Sequence, residues 1–332
     1  MTPHKIFIST YPFGFYDPEP MEILQKTGWE IIVNPLKRKL TPHEVADFAK
    51  DVDGIIAGTE DLTPLIQANP KLKIISRVGI GLDSVPLKLC KERGITVAYT
   101  PDAVTMAVVE LTIGLMVSLT RKVHLADQEL KKGGWSRFTG KRLGESTIGI
   151  IGAGRVGLNV IRILSEFRVK TLLINDLKDK KREVSEILDH KNINYKFVEK
   201  EEIYSSSDII SLHVPLTHKT RNLIGEKEFD KFRNDAFLIN TSRGGIVNEK
   251  NLYEVLKENR IGGAAVDVFE IEPYKGNLIE LENVILTQHM GSCSYDCRLL
   301  MERGAAEEVI RFFENKDLLN PVPEEEYQNQ IV

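Results

Sequence analysis

"GIIGAGRVG", Gly149 to Gly157, supplies Gly152, Gly154 and Gly157 in G-x-G-x-x-G spacing, with the strand-like "TIGIIG" running into it and the apolar-periodic "LNVIRILSEF" following. The first glycine permits a tight turn, the second lets the backbone approach a pyrophosphate, and the third lets helix and strand pack closely. The helix that follows offers unpaired N–H groups and the positive end of its dipole to phosphates. Asp176 closes the next apolar run, "TLLIND". A carboxylate there accepts hydrogen bonds from a ribose 2′-hydroxyl and repels a 2′-phosphate, so the expected cofactor is NAD rather than NADP. Lys178, Lys180, Lys181 and Arg182 follow closely and soften that exclusion.

On either side of this loop, short apolar runs alternate with amphipathic segments. "KIFIST", "EIIVNP", "GIIAGT", "KIISRVG" and "ITVAYT" have the length and β-branched content of buried strands. Between them, "PMEILQKTG", "TPHEVADFAKD" and "VPLKLCKERG" read as helices, with Thr41 and Glu44 spaced as a capping box and Gly94 as a helix stop. The first hundred or so residues therefore read as one βα-repeating, parallel-sheet domain. A longer helix is expected from Thr105 to about Arg121, then the loop "KKGGWSRFTGKRLGES". A second series runs through "TIGIIG", "TLLIND", "DIISLHV", "AFLINT", "GGAAVDVF" and "NVILTQH". One more helical pattern, "SYDCRLLMERGAAEEVIRFFEN", follows His289, and pattern alone does not say which domain it joins.

The chain has 332 residues, 42% of them apolar and 28% charged, with a formal net charge of -4. That is ordinary globular composition with no excess of cations for a nucleic-acid backbone, so nucleic acid is not an expected partner. Cys90, Cys293 and Cys297 form no CxxC pair, which fits a reducing compartment, and no metal is called for. The most apolar long segment, "VVELTIGLMVSL", is interrupted by Glu110 and is too short to span a bilayer, so no membrane is expected. The N-terminus lacks the basic flank and apolar core of a secretion signal, and a cytoplasmic location is the simplest reading.

A nicotinamide enzyme acting on an alcohol or carbonyl needs a group to exchange a proton and a cation to fix the polarised oxygen. His213 and His289 each close an apolar strand at the carboxyl edge, where open α/β sheets place ligands. A strand-end histidine bonded to backbone is the plain alternative for either. Arg243 in "INTSRGGIVNE" follows a strand and precedes two glycines. Its guanidinium fork suits a substrate carboxylate, a surface ion pair being the alternative. In "DVFEIEP", Asp267, Glu270 and Glu272 crowd behind the apolar run 262–266, and residue types alone do not say which of the three acts.

These blocks together carry a resemblance. "SRVGIGLDSV", "GIIGAGRVG", "DIISLHVPLTHKT", "INTSRGGIVNE", "AAVDVFEIEP" and "ILTQHMGS" resemble, in order, the blocks of the D-isomer-specific 2-hydroxyacid dehydrogenase family, in the branch that contains phosphoglycerate dehydrogenase. The similarity covers essentially the full chain. It implies two parallel-sheet α/β domains. Residues 1–101 and 292–332 would form a flavodoxin-like substrate domain, and residues 102–291 a Rossmann-type NAD-binding domain inserted into it, with catalysis in the cleft. It implies an NAD-dependent oxidoreductase acting on a small 2-oxo or 2-hydroxy acid, possible substrates including 3-phosphoglycerate and phosphohydroxypyruvate. A hydroxypyruvate or glyoxylate reductase, or an NAD(H)-sensing corepressor-like protein, is the alternative.

By the same resemblance Arg243 binds the substrate's carboxylate and carbonyl, His289 exchanges the proton and Glu272 pairs with His289. Asp267 bonds the nicotinamide carboxamide, and backbone amides around Val78 and Gly79 hold the substrate carboxylate. Gly152, Gly154, Arg155, Val156, Gly157, Asp176, His213, Pro215, Thr220, Thr241 and Gly291 complete the expected cofactor contacts, and Glu270 has no role. A homodimer is implied, with the loop of Trp135 a candidate contact. Three departures bear on substrate. Ser84 stands where the family usually has Asn, and "MGSCSYD" replaces the usual small residue and Thr. "AGTEDLT" has no Arg or Lys for a phosphate, although Arg77, Lys141 and Arg142 could partly compensate, and the aromatic "TYPFGFYDPEP" reads as a wall.

Overall fold

In the computed structural model, which describes residues 3–330, the chain divides into two compact units, one made of residues up to Val104 together with those from Ser292, the other spanning Thr105–Gly291. In chain order the first unit begins with β1 (Lys5–Ile8), α1 (Glu19–Gln25), β2 (Glu30–Val33), α2 (Pro42–Phe48), β3 (Gly54–Ala57), α3 (Thr63–Ala68), β4 (Ile74–Arg77), α4 (Leu87–Glu92) and β5 (Thr96–Ala98). Its five strands are all parallel in the order β2-β1-β3-β4-β5, the flavodoxin-like arrangement. The capping box of α2 forms, Thr41 Oγ1 accepting the Glu44 N–H while Glu44 returns a carboxylate to the Thr41 N–H. Gly94 takes the left-handed conformation just past α4, at φ +67°.

The second unit opens with α5 (Thr105–Thr120) and α6 (Val123–Lys131). The expected end of α5 near Arg121 is a break at Lys122, whose φ of 54° turns the chain, and α6 occupies residues to which the sequence reading gave no element, ending where the expected loop begins. There follow β6 (Thr147–Ile151), α7 (Arg155–Glu166), β7 (Thr171–Asn175), α8 (Lys181–Leu188), β8 (Asn194–Phe197), α9 (Lys200–Ser206), β9 (Ile209–Leu212), α10 (Glu226–Phe229), β10 (Phe237–Asn240), α11 (Glu249–Lys257), β11 (Gly263–Val266) and β12 (Val284–Leu286). The parallel sheet runs β12-β11-β10-β9-β6-β7-β8, so strand order reverses between β6 and β9 as in a Rossmann fold.

Helices cover both faces of this sheet, which is why its strands read as unbroken apolar runs. Along β10, β11 and β9, Leu238, Ala264, Val266, Ile210 and Leu212 enter one buried cluster. Ile239, Ala265 and Ile209, one residue out of phase, join Ile148 and Ile150 in the other. Burying each isoleucine in this way is worth about 1.5–3 kcal/mol.

The chain then returns to the first unit with α12 (Tyr295–Phe313) and α13 (Glu324–Asn329). The Ser76 hydroxyl donates to the Ala305 carbonyl at 2.9 Å, and the Cβ a residue other than glycine would carry at Gly54 falls 3.3 Å from the Phe313 ring, so α12 lies against β3 and β4. Among the described residues, no helix is long and apolar enough to cross a membrane.

Candidate functional site

The glycine turn stands at the switch point of the seven-stranded sheet. Gly152 has φ +98°, and a side chain there would collide with the His213 carbonyl, at the end of β9. A Cβ at Gly157 would run into the Gly152 carbonyl, so helix and strand meet through bare backbone. Gly154, the N-cap of α7, is different: a Cβ there meets nothing within 4 Å. The chain itself gives Gly154 no steric reason to be glycine, whereas a ligand lying against the helix N-terminus does.

Asp176, just past β7, accepts the Ala153 N–H at 2.6 Å and the Lys178 N–H at 2.8 Å, which sets its carboxylate beside the turn. Arg155 and Val156 open α7. Leu177, next to Asp176, is 87% exposed and offers no cation to a 2′-phosphate. These residues fit a dinucleotide: a cradle bare of side chains, a helix N-terminus for the pyrophosphate and a carboxylate for the ribose.

The remaining expected cofactor residues lie in the loops that follow β9 to β12. The imidazole of His213 bonds the Ser211 hydroxyl through Nε2 at 2.9 Å, and burial pushes its pKa down to about 4, so the ring is neutral near pH 7. Thr220 accepts the Thr217 N–H at 2.7 Å and donates to the Pro215 carbonyl at 2.6 Å, closing the turn that carries both. Thr241 is buried and shares a hydrogen bond of 2.8 Å with Thr112 on α5.

Arg243, Glu272 and His289 hang from the carboxyl ends of three adjacent strands, β10, β11 and β12. The Asn240 side chain braces the Arg243 turn, accepting the Ser242 N–H at 3.1 Å and donating to the Arg243 carbonyl at 3.0 Å. The guanidinium itself donates to the Ser242 carbonyl at 2.7 Å. Behind it Gly244 lies so close to Phe269 that any side chain would strike the Phe269 carbonyl, which joins this turn to the loop bearing Glu272.

His289 and Glu272 meet. Nδ1 stands 2.9 Å from Glu272 Oε2 and 3.0 Å from Oε1, and Oε1 also accepts the Phe269 N–H at 3.1 Å. With a carboxylate opposite, Nδ1 carries the hydrogen and Nε2 is left to exchange a proton; no described residue bonds it. The backbone of His289 is left-handed, φ 52°, a conformation that costs a non-glycine residue about 1–2 kcal/mol.

Asp267 holds that conformation. Its carboxylate, 1% exposed, accepts from the Thr287 hydroxyl at 2.6 Å, the Met290 N–H at 2.8 Å and the Gly291 N–H at 3.0 Å. Its own carbonyl takes the His289 N–H at 2.7 Å. The side chain expected to face a nicotinamide is thus turned onto the histidine loop, a role that neither spacing nor strand position signals. Glu249, the first residue of α11, also escaped the sequence reading. It accepts the Glu270 N–H at 2.6 Å, and burial, with the negative charges of Glu270 and Glu272 nearby, raises its pKa.

In the first unit the two backbone amides expected to hold a substrate carboxylate have acceptors. The Val78 N–H donates to the Ala57 carbonyl at 2.9 Å and the Gly79 N–H to the Thr100 hydroxyl at 2.7 Å, so both amides are committed within the unit. Gly79, at φ +128°, leaves room for the Arg77 guanidinium, whose Nη1 a Cβ would approach to 2.5 Å. Glu60, 3% exposed just past β3, accepts the Ser9 hydroxyl at 3.3 Å.

A Rossmann-type sheet with this bare glycine cradle defines an α/β protein of the dinucleotide-binding class. The profile of the "D-isomer specific 2-hydroxyacid dehydrogenase, NAD binding domain" matches residues 113–291, and the chain belongs to that family. It is 37% identical over 275 residues to the D-3-phosphoglycerate dehydrogenase of Methanocaldococcus jannaschii, an alignment that takes in 81% of this chain and 51% of the relative. The chain thus spans about half the length of that relative. Against the glyoxylate reductase of Thermofilum pendens it is 34% identical over 304 residues, covering 88% of each. Among solved structures, the NADPH-dependent glyoxylate/hydroxypyruvate reductase of Sinorhizobium meliloti superposes with a TM-score of 0.82 at 26% identity, over 100% of this chain and 99% of that one.

Proposed function

We propose that this chain is an NAD-dependent D-2-hydroxyacid dehydrogenase that interconverts a small 2-oxo acid and its D-2-hydroxy acid, with an unphosphorylated substrate of the glyoxylate or hydroxypyruvate kind. The observation that carries the reading is the imidazole of His289, bonded at Nδ1 to Glu272 at 2.9 Å while Nε2 remains for proton exchange. Bound NADH supplies the hydride. Arg243 binds the substrate carboxylate and polarises the carbonyl, and His289 Nε2 delivers a proton to the carbonyl oxygen. Glu272 stabilises the imidazolium before transfer; in the reverse direction His289 acts as base. Because the Val78 and Gly79 amides already have acceptors, the substrate carboxylate would have to displace one of those bonds or rely on Arg243.

The preference for an unphosphorylated acid rests on the loop after β3, where Glu60 and Asp61 stand and no cation does. Arg77, a largely buried cation at the end of β4, favours the second reading, phosphohydroxypyruvate. We read NAD as preferred over NADP from Asp176 and the exposed, uncharged Leu177 beside it. A homodimer through the NAD-binding unit accords with the exposed Val123 and Leu130 on α6 and with Trp135, 82% exposed just beyond it. A cytoplasmic location accords with three sparse cysteines that form no CxxC pair.

The test is a panel of glyoxylate, hydroxypyruvate, phosphohydroxypyruvate, pyruvate and 2-oxoglutarate, each with NADH and NADPH. Turnover of hydroxypyruvate or glyoxylate with NADH is expected, and no oxidation with any 2-oxo acid would sink the reading. His289→Ala is expected to abolish turnover and leave NADH binding nearly intact.

A further inference from the structure

The acidic, polar segment near the end of the chain, "PEEEYQNQ", has no part in the activity proposed above, yet it reaches the substrate loop. Its course is set by three attachments within the first unit. Glu308 on α12, almost fully buried, accepts the Leu319 and Asn320 N–H groups at 3.2 and 2.6 Å. Pro321 forms an antiparallel bridge with Ala98, and the Val322 N–H donates to the Val97 carbonyl at 3.0 Å, so the segment runs along the edge of β5. Tyr327 then packs against the core cluster that contains Cys90 of α4.

This path delivers Gln330 to the backbone of residues 82–87. Its carboxamide Nε2 donates to the Leu82 carbonyl at 2.8 Å and the Val85 carbonyl at 2.7 Å, and its Oε1 accepts the Leu87 N–H at 2.9 Å. Both donors and the acceptor of one side chain are engaged, across more than 240 residues of sequence, with one stretch of loop. The first half of that loop is tied to the sheet through Val78 and Gly79. It contains Gly79 and Gly81, which give it little stiffness of its own. In the second half the Ser84 carbonyl accepts the Leu62 N–H at 3.0 Å and Leu82, Val85 and Leu87 enter the core cluster, while the Leu82 and Val85 carbonyls and the Leu87 N–H are bonded by Gln330.

We propose that Gln330 is a positioning residue for substrate: it straps residues 82–87 so that the glycine-containing segment ahead of them keeps the shape that meets the 2-oxo acid. The inference rests on the dehydrogenase reading above and on the resemblance of "SRVGIGLDSV", residues 76–85, to the family block expected to hold the substrate carboxylate.

The experiment compares full-length wild type, Gln330→Ala and Gln330→Glu by amide hydrogen exchange and by steady-state kinetics with NADH and the best 2-oxo acid of the panel. Glutamate retains an acceptor for the Leu87 N–H but offers the two carbonyls no donor, so it should behave like alanine. Both variants are expected to exchange faster across residues 82–87 and to raise the KM for the 2-oxo acid roughly five- to tenfold, while the KM for NADH stays put and the thermal midpoint falls by no more than a few degrees. Unchanged exchange, or faster exchange with an unchanged KM, would overturn the proposal, and a glutamate variant equal to wild type would do the same. A wild type inert toward every 2-oxo acid would instead refute the activity on which it rests.

Discussion

The clamp that Asp267 places on the His289 loop makes Asp267→Asn the most discriminating substitution. The carboxylate receives three donors, from Thr287, Met290 and Gly291, in a site that is 1% exposed. Asparagine has one oxygen. With that oxygen toward Thr287 and Met290, its amide nitrogen faces the Gly291 N–H, donor against donor; flipped, it faces the other two. Either way at least one buried N–H or hydroxyl loses a charge-assisted acceptor, worth about 1.5–3 kcal/mol, and desolvation of the orphan brings the total to roughly 2–4 kcal/mol. Against this stands the left-handed backbone of His289, held at about 1–2 kcal/mol above a relaxed conformation. The loss exceeds the margin that keeps the loop strained, so His289 should leave Glu272 for much of the time.

At about tenfold per 1.4 kcal/mol, kcat should fall roughly thirtyfold to a thousandfold. The assays are steady-state turnover with the best 2-oxo acid, NADH binding by fluorescence, and hydrogen exchange of the 289–291 amides. Faster exchange at Met290 and Gly291 should accompany the loss of kcat. If NADH binding weakens while those amides stay protected, Asp267 acts on the cofactor and not on the loop, and the reasoning fails.

Glu272→Gln keeps a hydrogen-bonding shape but removes the charge facing Nδ1. Because the side chains of His289 and Glu272 are 42% and 31% exposed, solvent screens the pair, and about 1–2 kcal/mol, or roughly a five- to thirtyfold fall in kcat with unchanged NADH affinity, is expected. Gly154→Ala, whose Cβ meets nothing, should leave the thermal midpoint within a degree or two of wild type and weaken NADH binding at least about tenfold. Gly157→Ala, which drives a Cβ into the Gly152 carbonyl, should lower the midpoint instead; equal behaviour of the two would remove the argument from the cradle. His213, held near 4 against an ordinary 6.5, binds fewer protons folded than unfolded. Stability should therefore fall as pH drops from about 6.5 to about 4, by roughly 3 kcal/mol in all. In the His213→Gln protein the decline over that window should flatten, as read from urea midpoints at intervals of pH.

What could be read in advance follows from the range over which each signal acts. The glycine turn and the apolar runs of β6, β9, β10 and β11 are local patterns with local causes, a backbone collision or a strand buried on both faces, and the sheet they specify is the one that forms. Edge strand β8 escaped because its residues "NYKF" alternate exposed and half-buried side chains and carry no apolar run. Helix α6 escaped because it is short and carries few apolar residues, Val123, Leu125, Ala126 and Leu130, none of which is buried in a core.

The site divides along the same line. Arg243, Glu272 and His289 were reached through motifs, but a motif records which residues occur and not which bonds they already make. Asp267 has no sequence relation to Met290 and Gly291 beyond lying on the neighbouring strand, and strand order appears only when the sheet closes. The Val78 and Gly79 amides look available in sequence, where nothing shows that Ala57 and Thr100 accept them. A left-handed histidine clamped by a buried aspartate puts the strain of the loop beneath the proposed proton-transfer group itself. Relaxing that strain should therefore degrade catalysis before it degrades the fold, because the seven-stranded sheet and its two buried faces do not depend on the loop. A variant at Asp267 that unfolds the whole unit in step with its loss of kcat would show that the clamp belongs to the core and not to the site.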